Sequence, residues 1–183
     1  LAAAREAAAA AAGAGTLLRA AGSAWARDAG GTSGALWGSA LRAIGDALGD
    51  QHVPDGPTLG AVVTAACVRV QERGGAVVGD KTMVDALVPF AHVLDAELAS
   101  GATPLAALRR AAAAARDAAA ATAELLPRLG RARPHAERSV GTPDPGAHSL
   151  ALVVDAVARA FDDASESGVD AQAFRPTTIG DRS

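Results

Sequence analysis

Apolar residues recur at intervals of three and four along most of the chain, the spacing that gathers side chains onto one face of an α-helix. Leu59, Val62, Ala66 and Val70 mark one such face, in a helix opened by Pro57 and closed by the Gly74-Gly75 pair. Met83, Leu87, Leu94 and Leu98 mark another over Lys81 to about Ala99, with Asp80 as its expected N-cap. Pro89 inside it should bend the helix, because it lacks an amide hydrogen and crowds the carbonyl of Asp85. Leu150, Val153, Val157 and Phe161 form the stripe of a helix opened by Asp144 and Pro145. Further helices are expected over Leu1 to Ala12, from Gly15 or Thr16 to Asp28, from Ser33 to Leu48, and from the Thr103-Pro104 cap through the alanine runs towards Pro127. From about Ser165 the periodicity stops, so residues 1–165 are read as one helical domain and 166–183 as an irregular tail.

Seven helices joined by short, glycine- and proline-punctuated connections favour antiparallel neighbours, hence an all-α up-and-down bundle or closed helical barrel. Alternating directions carry a geometric consequence. Gly30-Gly31-Thr32-Ser33, Gly79-Asp80-Lys81-Thr82 and Asp144-Pro145-Gly146 open the third, fifth and seventh helices and would share one rim. The plain caps Asp55-Gly56-Pro57 and Thr103-Pro104 would lie at the other.

Composition narrows the interior. Of 183 residues 50% are hydrophobic but only 3% aromatic, with no Tyr, so the core must be closely packed Ala, Leu and Val. The net charge of −3 and the lack of a basic block argue against nucleic-acid binding. A single cysteine, Cys67, allows neither a disulfide framework nor a cysteine-based metal site and fits a reducing cytoplasm. No stretch has the roughly 18 uncharged apolar residues of a membrane span, and the Ala-rich start, interrupted by Arg5 and Glu6, lacks the parts of a signal peptide. The abrupt first helix, with no capping residue ahead of it, predicts that residue 1 is not the natural start of the domain.

The candidate chemistry lies in the glycine-punctuated entries. Gly74 to Pro89 nearly spells a phosphate-binding Walker A loop, but Asp80 separates Gly79 from Lys81 and a helix precedes it, against the strand-loop-helix pattern. Free amides and hydroxyls at Gly30 to Gly34 can converge on a phosphate, or simply form a well-capped turn. Met83 can lie against a base or belong to the core, and Lys81 can pair with phosphate or point into water. Arg128, Arg131, Arg133 and Arg138 have the guanidinium forks that suit phosphate, in what is otherwise a solvated loop. Asp144 can be only an N-cap and His148 only an exposed polar residue; His52, His92 and His135 show no metal-ligand spacing. There is no nucleophile-base pair and no Gly-x-Ser-x-Gly elbow.

In this order and spacing, G-G-T-S-G at 30–34, G-D-K-T-M-V-D-A-L-V-P at 79–89, G-R-A at 130–132, E-R-S-V-G at 137–141 and D-P-G-A at 144–147 resemble the nucleotide-binding L domain of dihydroxyacetone kinases, itself related to the kinase domain of bacterial fatty acid kinases. The resemblance spans most of residues 1–165. It implies an eight-helix barrel, about seven helices of it present, with ADP or ATP on one rim. The nucleotide contacts it implies fall at Thr32, Ser33, Gly74, Met83, Arg131, Asp144, Pro145 and Gly146. It further implies phosphoryl transfer to dihydroxyacetone held on a separate K domain or subunit, with either ATP or a phosphotransferase-system relay as donor. The family's Asp-rich Mg²⁺ loop, which precedes the helix matching Leu1 to Ala12, is absent, as is the first family helix, and Pro134 replaces a common Tyr. The leading expectation is therefore an N-terminally incomplete kinase module, inactive by itself. The alternatives are a metal-free nucleotide-binding regulatory or adaptor module and a plain structural bundle.

Overall fold

The computed structural model describes residues 12–51, 54–130 and 133–166. Six α-helices follow one another: α1 (Ala14–Asp28), α2 (Gly31–Leu48), α3 (Gly56–Gly74), α4 (Val84–Ala99), α5 (Pro104–Ala121) and α6 (Pro145–Glu166). Short 3-10 segments cover Thr122–Glu124 and Arg133–Ser139, the second broken at Ala136. There is no strand among the described residues, and the all-α expectation holds. The helix expected over Leu1 to Ala12, the tail beyond Glu166, and His52 lie outside the described residues apart from Ala12, which precedes α1. None of the described helices is long and apolar enough to cross a membrane.

The punctuation works as its chemistry dictates. Asp55 caps α3 by accepting from Thr58 N at 2.8 Å, with Pro57 in the first turn. Thr103 caps α5 by accepting from Ala106 N. Gly75, at φ 62°, closes α3 in the left-handed conformation that a side chain would resist. Two expectations need correction. The fifth expected helix starts at Val84 rather than Lys81, because residues 80–82 are held in a loop by side chains described below. The sixth ends at Ala121, six residues before Pro127, where Thr122 turns its hydroxyl back onto Ala119 O at 2.6 Å. Pro89 lies within α4 without ending it.

Each helix packs chiefly on its neighbours in sequence, so the row runs in chain order with alternating direction. The α1–α2 hairpin is the closest contact. Gly15 faces Gly45 and Gly22 faces Gly38, each pair one heptad along, and a Cβ at Gly22 would lie 2.7 Å from Gly38 O. Such an approach admits only glycine. At the open end of the hairpin Asp50 accepts from Thr16 N at 2.7 Å and from its hydroxyl at 2.6 Å, and nearer the turn Trp25 tilts against Trp37 with ring centres 5.7 Å apart.

Small residues also line α5, where Ala107, Ala111, Ala112, Ala115 and Ala119 are buried against Phe90, Leu94, Leu98, Leu150 and Val154. Alanine lets the helix axes come close but fills little of the centre. An apolar cavity of about 370 Å³ remains between α2 and α6, bounded by Trp37, Phe90, Leu94, Leu150 and Val154.

The glycine hairpin supplies a stability test. Gly22→Ala should lower the urea midpoint, because overpacking against a backbone oxygen costs about 1–3 kcal/mol, towards the upper end for so fixed a neighbour. The roughly 1 kcal/mol by which Ala favours a helix over Gly does not offset it. An unchanged or raised midpoint would show that α1 and α2 can separate freely.

Candidate functional site at the glycine-rich rim

Contacts at both ends of the bundle fix where the helix starts lie. A Cβ on Gly74 at the end of α3 would meet Leu36 near the start of α2 at 3.5 Å, and one on Gly146 at the start of α6 would meet Met83 at the start of α4 at 3.4 Å. The starts of α2, α4 and α6 therefore share one rim. At the other end Gly56, opening α3, sits against Leu98 near the end of α4.

The loop from Gly75 to Met83 is organised by its acids. Asp85 accepts from Gly79 N at 2.6 Å and from Thr82 N at 2.7 Å, while Thr82 Oγ1 accepts from Val84 N at 3.2 Å. This is a variant of the capping box, in which Asp85, three residues after Thr82, reaches back to the Thr82 amide. Thr-x-x-Asp at 82–85 is its sequence signal, and the sequence reading overlooked it. Asp80 is not the expected N-cap. Its side chain is buried and turns back to accept from Val77 N at 2.9 Å, while its carbonyl accepts from Arg128 N.

Lys81 takes neither of its expected roles. It is 2% exposed, and its ammonium donates to Leu125 O at 3.0 Å and Ser139 O at 2.6 Å. Met83 is buried in the core cluster. Asp144 caps α6 by accepting from Ala147 N at 2.8 Å, and its own amide donates to the Thr122 hydroxyl at 2.7 Å. Burial raises the Asp144 carboxyl above its ordinary 3.8, and the nearby Asp85 charge adds to the rise, against the lowering effect of the Ala147 and Gly146 amides and Lys81.

Of the residues implied as nucleotide contacts, Gly74, Met83, Asp144 and Gly146 are half-buried or buried, whereas Thr32, Ser33 and Pro145 are exposed. Arg131 lies outside the described residues. Arg128, Arg133 and Arg138 are exposed, as are His92 and His148, and the side chain of His135 is not described. The three rim entries differ in what they leave open. Asp85 and Asp144 occupy the loop amides ahead of α4 and the first amides of α6. The start of α2, with Gly30 as N-cap, receives no side-chain cap, so its amides and the Thr32 and Ser33 hydroxyls face solvent as the rim's free anion donors.

The same carboxylates bear on Mg²⁺, which prefers oxygen-rich sites. Both oxygens of Asp85 and one each of Asp80 and Asp144 are already committed to backbone amides. Among the described residues there is no group of three or more acidic, His or Cys side chains able to hold a metal ion. The rim as described does not fit a Mg²⁺ site of its own.

Two tests follow from this wiring. Asp85→Ala should destabilise the chain by about 2–6 kcal/mol in urea denaturation, since it strands two amides at about 1–3 kcal/mol each; a loss below about 0.5 kcal/mol would mean that water replaces the carboxylate. Asp144, with its folded pKa raised, contributes stability that is full below pH 3.8 and lost as pH rises through the folded value. Asp144→Asn keeps an acceptor for Ala147 N without the charge, so its stability should fall less than the parent's between pH 3.8 and 7. Parallel profiles would contradict the assignment.

Comparison with known proteins places the chain in a family. The DAK2 domain model matches residues 1–159. The chain is 53% identical over 146 residues to an L-erythrulose kinase of Pectobacterium atrosepticum, covering 80% of this chain and 25% of that protein. It is 54% identical over 160 residues to a D-erythrulose kinase of Mycolicibacterium smegmatis, covering 85% and 28%. A PEP-dependent dihydroxyacetone kinase 2, ADP-binding subunit DhaL, of Listeria innocua is 34% identical, covering 78% and 65%. Among solved structures, the native dihydroxyacetone kinase of C. freundii matches with a TM-score of 0.57 and 29% identity over 80% of this chain and 24% of that one. The chain thus spans about a quarter of the length of the erythrulose kinases that it matches. It belongs to the DAK2 domain family.

Proposed function

We propose that the chain is the nucleotide-holding module of a ketose kinase, presenting ATP at the glycine-rich rim for phosphoryl transfer to a short ketose carried by a separate K-type domain or subunit. The observation that carries this reading is the uncapped start of α2, where free amides and the Thr32 and Ser33 hydroxyls face solvent on the same rim as the Met83–Gly146 contact. The α2 start takes the phosphates, and Gly74, Met83, Arg131 and the Asp144-Pro145-Gly146 turn frame the remainder of the nucleotide. In the reaction the γ-phosphorus to bridging-oxygen bond breaks and a bond to a ketose hydroxyl oxygen forms as that hydroxyl loses its proton. Catalysis of this kind is mainly positioning and charge neutralisation.

The acceptor favoured here is erythrulose rather than dihydroxyacetone, since identity to erythrulose kinases exceeds 50% and identity to the DhaL subunit is 34%. Identity to the erythrulose kinases exceeds that to the PEP-dependent DhaL subunit, so ATP rather than a phosphotransferase relay is the donor proposed. The committed carboxylates of the rim favour one second reading, a nucleotide-binding regulatory or adaptor module that works without its own metal.

Calorimetric titration with ADP, with and without Mg²⁺, tests the site. Binding is expected in the parent, and Thr32→Ala/Ser33→Ala and Arg131→Ala should each weaken it about tenfold, as the loss of one or two hydrogen bonds to a charged group does, with helicity unchanged. No binding by the folded parent would overturn the nucleotide reading. Assayed with a ketose-binding domain of the same family, ATP should be consumed with erythrulose in preference to dihydroxyacetone. Binding of ADP without any ketose phosphorylation would instead select the adaptor.

A further inference from the structure

Lys81 is the chain's single lysine; the remainder of its 17 basic residues are arginine. It is also the one non-glycine residue with positive φ among the described residues, at 60°. A strained backbone and a buried charge coincide at one position, and neither survives unless the surroundings impose it. The ammonium supplies donors to two carbonyls that an apolar side chain would leave unpaired, so its partners hold Lys81 in this conformation.

The ammonium joins segments that are far apart in the chain. Its carbonyl partners, Leu125 O and Ser139 O, are 44 and 58 residues away. Around it, Arg128 N donates to Asp80 O and Gly141 N to Ala123 O, and the Thr122 hydroxyl receives the Asp144 amide. A compact ammonium can direct its donors at carbonyls on separate segments from within a small buried space. Because it is buried and turned to these carbonyls, it is not placed to bind a phosphate itself.

We propose that Lys81 is a positioning residue for the nucleotide: without touching the ligand, its buried ammonium sets the spacing of segments 76–83, 122–130 and 133–147, and so places the Asp144-Pro145-Gly146 turn against Met83. The proposal rests on the nucleotide reading above. The loop connections between α5 and α6 have no other charged tie to the glycine loop among the hydrogen bonds and ion pairs of the described residues.

The test is ADP affinity of Lys81→Met, measured by calorimetry at a temperature where parent and variant are both folded. The variant should bind about tenfold or more weakly, with helicity retained. Lys81→Cys, made in a Cys67→Ala background and alkylated to an aminoethyl thioether before refolding, restores an ammonium of nearly the same reach and should recover most of the affinity. A purely structural lysine would lower the melting temperature and leave affinity within about twofold of the parent; that result overturns the proposal while leaving the nucleotide site standing. If the parent itself does not bind ADP, the nucleotide reading falls and the positioning role falls with it. Should Lys81→Met not fold, the parent decides the matter. The ¹⁵N-labelled ammonium of its single lysine should exchange hydrogen more slowly on saturation with ADP, and unchanged exchange overturns the role.

Discussion

A glycine-rich loop that leaves regular structure inside a packed protein must find partners for its backbone amides and carbonyls, because each one left dry and unpaired costs about 1–3 kcal/mol. Residues 75–83 meet that demand with side chains. Asp80 turns back to Val77, Asp85 reaches Gly79 and Thr82, and Lys81 reaches carbonyls in the two segments that follow α5. Almost every feature of the rim depends on this wiring: where α4 begins, why Met83 is buried, and how the α6 turn comes to rest on it.

The remainder of the fold exists to hold that rim. Helices built from Ala and Gly approach closely, and at the α1–α2 hairpin the glycine pairs bring backbone to backbone. That closeness holds α1 directly against α2. The division of labour between the ends is electrostatic as well as steric. At the far rim Asp55 and Thr103 satisfy their helix starts with ordinary caps, while at the near rim only the α2 start is left without one. Among the described helix starts, an anion therefore finds the dipole of α2 unopposed.

Much of this was legible in residue order. The helix count over the described residues, the caps at Asp55 and Thr103, the left-handed close at Gly75 and the shared rim all follow from periodicity and punctuation. The failures have specific causes. Asp80 precedes a helical pattern and looks like a cap, but the stronger local signal was Thr82-x-x-Asp85, whose two carboxylate oxygens take the amides first. Lys81 was open to a phosphate or to water, and burial entered neither reading because lysine is almost never fully buried; its being the single lysine in an arginine-rich chain is the one mark of its unusual place. α5 stops ahead of Pro127 by tightening into the 3-10 turn Thr122–Glu124, which no periodicity reports.

By itself the sequence determined which segments are helical and where they start and stop, because those are contests between neighbouring residues: propensity, caps, and the backbone freedom of glycine and proline. It also carried the motif order by which the family is known. Only the tertiary structure decided which rim donors remain free and which are consumed, since that depends on partners tens of residues away. Asp144 N reaches Thr122, and Lys81 reaches Leu125 and Ser139, across gaps that local spacing does not encode. A buried ammonium and an exposed one are the same letter; the carbonyls brought to it by the packing of α4, α5 and α6 make the difference.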